Sequence, residues 1–156
     1  MRLDTSVNPL FGKLLIANRG EIACRVMGTA KRLGIATVAI YAEADAHALH
    51  VRLADETVFI GASKAAESYL NIDKVIGAAK STNCEAIHPG YGFLSENPEF
   101  VRQCESNKII LVGPSADSIE KMGIKDTAKT IARDCKIPVL SGYEGDNQAK
   151  EFLLQQ

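Results

Sequence analysis

The sequence predicts an α/β fold: an open parallel sheet with helices on both faces. Short, nearly continuous apolar segments alternate with stretches of helical periodicity, and this alternation is typical of repeated βα units. Strands that are apolar on both faces indicate a parallel sheet covered on both sides. At 156 residues, with 46% hydrophobic and 24% charged residues, the chain has the size of one domain. It can bury a core without needing a disulfide or a metal.

The predicted strands are short apolar runs, each followed by a turn or by a helix signal. They are Lys13–Ala17, Ala36–Tyr41, Thr57–Ile60, Glu85–His88 and Ile109–Val112. A last short extended piece is predicted at Ile137–Leu140.

The predicted helices have apolar residues at helical spacing or a recognisable cap. They are Glu21–Leu33, Ala46–Ala54, Ile72–Ser81, 98–107, 116–122 and Lys125–Cys135. Gly34 is suited to end the first helix, and Asn71 is suited to cap the third. Asn97, followed by a proline and an acidic residue, is a strong signal for the start of the fourth.

Charge and composition exclude several classes of partner. The net charge is −1 and there is no tryptophan, which argues against nucleic acid or an anionic membrane as a partner. No apolar run has the length needed to span a bilayer. The four cysteines are far apart and lack metal-ligand spacing, so we expect them to be reduced in a reducing compartment; they are Cys24, Cys84, Cys104 and Cys135.

Topology indicates where a ligand would bind. In an open α/β sheet the binding site lies at the carboxyl ends of the strands, where the strand order reverses. For the common order 3-2-1-4-5, that point lies between the first and fourth strands. The loops that follow those strands are Asn18–Glu21 and His88–Asn97, which are also the two most unusual segments in composition.

The first loop is a strand-to-helix turn with one glycine, Gly20. It offers amide donors at a helix start, which suit an anion. Alternatively, Gly20 only makes the turn and Arg19 pairs with a neighbouring carboxylate. The loop lacks Gly-x-Gly-x-x-Gly, and Tyr41 and Ala42 stand at the end of the second strand in place of an acid. Both observations argue against a dinucleotide-binding dehydrogenase domain.

The second loop is long for an α/β connection. Gly90 and Gly92 flank Tyr91, so the backbone can approach a ligand closely while the phenol remains a hydrogen-bond donor. His88, at the end of the strand, is either a base or a hydrogen-bonded structural residue, and the structural role is the commoner one. Glu96 can be an ordinary surface acid.

Two other groups of residues have weaker signals. His47 and His50 lie three residues apart near Asp45 and Asp55, which resembles half of a metal site. A packed or solvated helical face is the favoured interpretation, because no further ligands stand out. Lys125 and Lys129 lie one turn apart and could bind phosphate, although a solvated face is the favoured interpretation.

Several long motifs, in order, resemble the amino-terminal domain of biotin carboxylase, the ATP-grasp component of biotin-dependent carboxylases. They are KLLIANRGEIACRVM, HVRLADETVFIG, AAESYLNIDKVI and IHPGYGFLSENPEF. The resemblance runs from Lys13 to about Tyr143 and implies a Rossmann-like pre-ATP-grasp domain. Within the family, MGIKDTAK and IPVLSGYEGDNQ look most like the α subunit of 3-methylcrotonyl-CoA carboxylase.

The resemblance implies a reaction. Biotin carboxylases use MgATP and bicarbonate to make carboxyphosphate, and then transfer the carboxyl group to biotin N1 on a carrier domain. Lys125 matches the family's ATP-contacting lysine, whereas Lys129 has no such match. Tyr91 and Gly92 would line the edge of the active site near biotin, and His88 would position the loop. The other residues that match the family's motifs are Asn18, Arg19, Gly20, Glu21, Pro89, Gly90, Phe93, Ser95, Glu96 and Asn97.

The resemblance also implies an incomplete site and an arrangement of domains. Residues 1–12 are expected to be an amino-terminal extension, 13–143 the biotin carboxylase amino-terminal domain, and 144–156 the start of the ATP-grasp lid region. The family's Mg-binding glutamates and catalytic residues lie further along the chain, so no catalytic residue and no metal ligand is expected here. Gly28 stands where the family usually has Arg on a helix that contributes to subunit contacts, which puts that contact in doubt.

We therefore expect the amino-terminal part of the biotin carboxylase component of an acyl-CoA carboxylase, inactive alone. Its partners would be ATP, bicarbonate, a biotin carrier domain and a carboxyltransferase subunit, in an oligomer. The compartment would be the mitochondrial matrix in a eukaryote and the cytoplasm otherwise; Met1–Gly12 has no targeting signal. The alternatives are a non-catalytic assembly module, or the same domain of a propionyl-CoA, acetyl-CoA or pyruvate carboxylase.

Overall fold

The computed structural model describes residues 10–140. Its sheet has five strands, all parallel, in the order β3-β2-β1-β4-β5. The strands are β1 Lys13–Ile16, β2 Ala36–Ala42, β3 Glu56–Gly61, β4 Ala86–His88 and β5 Ile110–Leu111. The predicted fold class, an open parallel α/β sheet, is confirmed.

The helices lie between and after the strands. They are α1 Gly20–Arg32, α2 Leu49–Leu53, α3 Ile72–Ser81, α4 Pro98–Ser106, α5 Ala116–Gly123 and α6 Lys125–Asp134, with short 3-10 turns at Glu43–Asp45 and Ala65–Glu67. No helix within residues 10–140 is long and apolar enough to cross a membrane.

The core has two parts, one on each face of the sheet, because side chains alternate along a strand. On one face Leu15 packs with residues of α3 and α4, among them Val75 and Phe100. On the other face Leu14 and Ile16 pack with residues of α1. Each part therefore buries a helix stripe against apolar strand residues, which accounts for the nearly continuous apolar strands in the sequence.

The helix caps follow the sequence signals. The Asn71 side chain accepts a hydrogen bond from the Lys74 amide at the start of α3. Asn97 accepts from the amides of Glu99 and Phe100 at the start of α4. Gly34 follows α1 with φ +73°, a left-handed conformation that suits glycine.

Three expectations need correction. The predicted helix Ala46–Ala54 is only the five-residue α2, because Ala48, before Leu49, has extended backbone (φ −66°, ψ 156°). Leu33, predicted as the last residue of the first helix, follows α1 and is 49% exposed. The predicted extended piece at 137–140 forms no strand.

The chain divides into two compact units. The first ends at Ala116 and contains the sheet, and the second begins at Asp117 and contains α6.

Candidate functional site

The loops after β1 and β4 lie side by side at the carboxyl edge of the sheet. Ile16 of β1 is in register with His88 of β4, and the Ala17 amide donates to the His88 carbonyl at 2.9 Å. The strand order reverses between β1 and β4, because β2 and β3 lie on one side of this pair and β5 lies on the other. The two loops therefore occupy the place where open α/β sheets bind ligands.

Asn18 fastens the two loops together. Its side chain is buried, with 3% of the residue exposed. Nδ2 donates to the carbonyls of Pro89 at 2.9 Å and Tyr91 at 2.8 Å, while Oδ1 accepts from the Arg19 amide at 2.9 Å. Both protons on Nδ2 are used, so the amide fixes the backbone on either side of Gly90.

Gly90 must be glycine for two reasons. Its φ is +68°, where a side chain is strained. A Cβ built there would lie 2.6 Å from Asn18 Nδ2 and 3.0 Å from Asn18 Cγ. The loop can pass over the Asn18 amide only because residue 90 has no side chain.

His88 is neutral and holds the same loop from within. Its Nδ1 accepts a hydrogen bond from the Gly90 amide at 2.9 Å, so the ring proton is on Nε2. Burial lowers the pKa of His88 below its ordinary value. The ring thus acts as an acceptor that shapes the loop after β4.

Arg19 is paired with a carboxylate from the loop after β2. Arg19 Nη1 lies 3.0 Å from Asp45 Oδ2, and the Tyr69 hydroxyl donates to the same oxygen at 2.6 Å. Burial raises the pKa of Asp45, but the hydrogen bonds from Tyr69 and Arg19 and the charge of Arg19 outweigh that effect and lower it overall. Asp45 is therefore a carboxylate at neutral pH. This agrees with the interpretation in which Arg19 pairs with a neighbouring carboxylate.

Tyr69 connects this ion pair to the loop after β4. Its ring stacks on Phe93, with centroids 5.1 Å apart and planes 14° from parallel. Phe93 has φ +41°, a left-handed conformation that costs a residue with a side chain about 1–2 kcal/mol. The stack, worth about 1 kcal/mol, offsets part of that cost.

Tyr91 and Gly92 form the open part of the loop. Tyr91 is 66% exposed, and a Cβ built on Gly92 would meet no atom within 4 Å. Gly92, at φ +66°, therefore leaves its backbone accessible to a flat ligand. The exposed phenol stands beside it as a donor or acceptor.

The remaining predicted residues of the two loops form their ends. The Ser95 amide donates to the Gly92 carbonyl at 2.9 Å, which closes a turn. Asn97 caps α4, Glu96 is exposed, and Glu21 lies in the first turn of α1.

The amides at the start of α1 are partly used by side chains. The Arg19 amide donates to Asn18 Oδ1, and the Gly20 amide donates to Nδ1 of His50 at 3.4 Å. Gly20 has φ +61° and makes the turn into the helix. These contacts occupy donors that an anion would otherwise use at this helix start.

His50 has a structural position. It is fully buried, and its Nε2 lies 3.3 Å from the Ile40 carbonyl. Burial lowers the pKa of His50, so the ring is neutral. His47 is exposed, and within residues 10–140 no group of three or more His, Cys, Asp or Glu side chains is arranged to hold a metal ion.

Lys125 is the first residue of α6, and Lys129 lies one turn later in the same helix. Both belong to the second compact unit.

Tyr69 is a residue of the candidate site that the sequence did not reveal. It lies between β3 and α3, two residues before the Asn71 cap, and nothing in its local pattern distinguishes it from a core aromatic. Asp45 drew attention only as a neighbour of two histidines. Their partnership depends on the loops after β2 and β3 meeting in space.

Comparison with known proteins gives one consistent result. The family model described as biotin carboxylase, N-terminal domain, matches residues 10–119. That range includes both loops and the side chains of Asn18, Asp45 and Tyr69.

Two curated relatives illustrate the range of similar proteins. The chain is 48% identical over 153 residues to the mitochondrial methylcrotonoyl-CoA carboxylase subunit alpha of Mus musculus, covering 98% of this chain and 21% of the relative. It is 54% identical over 136 residues to the propionyl-CoA carboxylase alpha chain of Ruegeria pomeroyi, covering 87% of this chain and 20% of the relative. The chain thus spans about a fifth of the length of these relatives.

A solved structure matches in three dimensions. It is the biotin carboxylase domain dimer of Hydrogenobacter thermophilus 2-oxoglutarate carboxylase, in complex with MgADP, ADP and bicarbonate. The TM-score is 0.84 at 43% sequence identity, covering 92% of this chain and 32% of that one.

Proposed function

Because the chain belongs to the family of biotin carboxylase N-terminal domains, we propose that it is the amino-terminal part of the biotin carboxylase component of a biotin-dependent acyl-CoA carboxylase. The reaction is the ATP- and bicarbonate-dependent carboxylation of biotin. The observation that carries this proposal is the family match over residues 10–119, which spans both loops at the strand switch point.

The residues of the carboxyl edge have distinct roles in this proposal. Tyr91 and Gly92 line the active-site edge near biotin; the exposed phenol and the open space over Gly92 suit the approach of a flat, polar ring. Asn18 and His88 fix the backbone that presents them. The catalytic groups and the magnesium ligands would belong to other parts of the complete polypeptide.

Lys125 is proposed to contact ATP as a point charge on phosphate. It is the first residue of α6, where the helix dipole also favours negative charge. In the proposed domain arrangement, residues 1–12 are an extension, 13–143 form the biotin carboxylase amino-terminal domain, and 144–156 begin the lid region. Residues 1–9 and 141–156 lie outside the described range.

The proposed partners follow from the same reaction. They are bicarbonate, a biotin carrier domain and a carboxyltransferase subunit, in an oligomeric assembly. The acyl-CoA is proposed to be 3-methylcrotonyl-CoA, as in the mouse relative of 48% identity. The compartment would be the mitochondrial matrix if the source is a eukaryote and the cytoplasm otherwise.

The test is an assay of phosphate release from ATP. The complete polypeptide that carries this sequence should hydrolyse ATP only when bicarbonate is present, and faster when biotin is added, and Lys125→Ala should raise its KM for ATP. Lys129→Ala is the matched control, one turn away on the same helix, and should leave that KM unchanged. Failure of the complete polypeptide to hydrolyse ATP under these conditions would refute the proposed function.

The substrate is tested separately. With its carboxyltransferase partner, the complete protein should carboxylate 3-methylcrotonyl-CoA in preference to propionyl-CoA and acetyl-CoA. A preference for propionyl-CoA would assign the chain to the other group of relatives while leaving the biotin carboxylation intact.

A further inference from the structure

Tyr69 is a buried side chain at the carboxyl edge of the sheet whose hydroxyl makes two hydrogen bonds. It is 1% exposed. Its hydroxyl donates to Asp45 Oδ2 at 2.6 Å and accepts from the Ala42 amide at 3.1 Å. The ring is thus fixed at one end to the last residue of β2 and to the loop that follows it.

The same contacts extend to the loop after β1. Arg19 pairs with Asp45 at 3.0 Å, and its guanidinium carbon lies 5.7 Å from the centre of the Tyr69 ring. Asp45 therefore receives hydrogen bonds from both Tyr69 and Arg19. One buried ring and one carboxylate connect the loops after β1 and β2.

Tyr69 also contacts the loop after β4. Phe93 stacks on the Tyr69 ring and has a left-handed backbone. It directly follows Gly92 in the chain. Leu94, the next residue, is buried. The exposed Tyr91–Gly92 pair therefore lies between two anchored parts of the loop: on one side the backbone is bound by Asn18, and on the other Phe93 stacks on Tyr69.

We propose that Tyr69 is a positioning residue, whose ring, oriented by its hydrogen bonds to Asp45 and Ala42, holds Phe93 in its left-handed conformation and so sets where Tyr91 and Gly92 stand. This inference rests on the proposed function, in which that pair faces biotin. Tyr69 itself is buried and stacks on Phe93, so its proposed action on substrate is indirect, through the loop.

A purely structural role makes a different prediction. If Tyr69 only filled the core, loss of its hydroxyl would reduce the fraction of folded enzyme, and kcat would fall while every KM stayed constant. If Tyr69 positions the loop, the KM for biotin changes while the KM for ATP does not.

The experiment uses Tyr69→Phe in the complete polypeptide. This variant keeps the ring and removes only the hydroxyl. We expect the KM for biotin to rise about tenfold, the effect of one well-made hydrogen bond to a charged group, with the KM for ATP unchanged. Hydrogen exchange of the amides at 91–94 should also become faster, whereas exchange in α3 should not.

Two further variants complete the design. Tyr41→Phe is the matched control, because Tyr41 is a half-buried tyrosine whose ring contacts Phe59 away from the loop, and it should change neither KM. Asp45→Asn keeps an oxygen that can accept from Tyr69 but loses the charge that pairs with Arg19. It should raise the KM for biotin less than Tyr69→Phe does.

The outcomes separate this inference from the proposed function. Equal KM values for biotin in Tyr69→Phe and Tyr41→Phe would overturn the positioning role in an active enzyme, as would a fall in kcat alone. If the unmodified polypeptide does not carboxylate biotin, the proposed function fails, and the exchange measurement alone decides. Faster exchange confined to 91–94 would then support the loop-holding role, and unchanged exchange would overturn it.

Discussion

Gly90→Ala is the substitution whose cost the structure defines most closely. The new methyl group would lie 2.6 Å from Asn18 Nδ2 and 3.1 Å from Asn18 Cβ. These atoms belong to a short, buried side chain that makes three hydrogen bonds, so they have little freedom to move. The methyl group therefore has to displace either the Asn18 amide or the loop.

Two terms add to the expected loss. A left-handed alanine costs about 1 kcal/mol, and displacing Asn18 weakens its two hydrogen bonds to loop carbonyls, each worth about 1 kcal/mol net. Gly90→Ala should therefore reduce the free energy of unfolding by about 3 kcal/mol, or lower the Tm by about 10 °C in a domain of this size. Urea denaturation followed by circular dichroism measures this loss.

Gly92→Ala is a matched control for Gly90→Ala. Its φ of +66° is almost the same as the +68° of Gly90, but the added Cβ would meet nothing within 4 Å. Only the conformational term remains, so the loss should be about 1 kcal/mol. In an Asn18→Ala background, the contacts with Nδ2 and Cγ are absent and only the 3.1 Å contact with Cβ remains, so Gly90→Ala should cost less there than in the unmodified chain. Equal losses for the two glycine variants in the otherwise unmodified chain would refute the reasoning.

Three other predictions concern separate features of the chain. Asn97→Ala should lower the free energy of unfolding by about 1 kcal/mol, because two amides at the start of α4 lose their acceptor; urea denaturation should detect this, and an unchanged midpoint would contradict it. Burial lowers the pKa of both His50 and His88. As the pH falls, these two side chains therefore bind protons in the unfolded chain before they do so in the folded chain. The free energy of unfolding should then fall as the pH drops below about 6.5, by at most about 1.4 kcal/mol per pH unit for each proton; constant stability between pH 7 and pH 5 would contradict this. The 156-residue chain alone should release no phosphate from ATP in response to bicarbonate. Turnover above that of its Lys125→Ala variant would contradict the proposal that the catalytic groups belong to other parts of the complete polypeptide.

The sheet could be predicted because its signals are local. Apolar runs mark the strands, and Asn71 and Asn97 mark helix starts at the residues where the structure has them. The place of the site also followed from topology, since the order β3-β2-β1-β4-β5 brings the loops after β1 and β4 together.

The rest of the site could not be predicted because it depends on contacts between distant segments. Asp45 directly precedes the predicted helix over 46–54, and nothing in that segment of the sequence indicates its partners. In the structure its carboxylate is bound by Arg19 and Tyr69, and the chain around it forms a 3-10 turn. The stack of Tyr69 on Phe93 joins the loop after β3 to the loop after β4. The periodicity of a sequence does not indicate which residues of different loops meet.

The most direct test of the central claim is phosphate release from ATP by the complete polypeptide that carries this sequence. The proposed function predicts release that requires bicarbonate and is stimulated by biotin, with a KM for ATP that rises in Lys125→Ala and stays constant in Lys129→Ala. ATP hydrolysis that is independent of bicarbonate and biotin, or no hydrolysis at all from a folded protein, would contradict it.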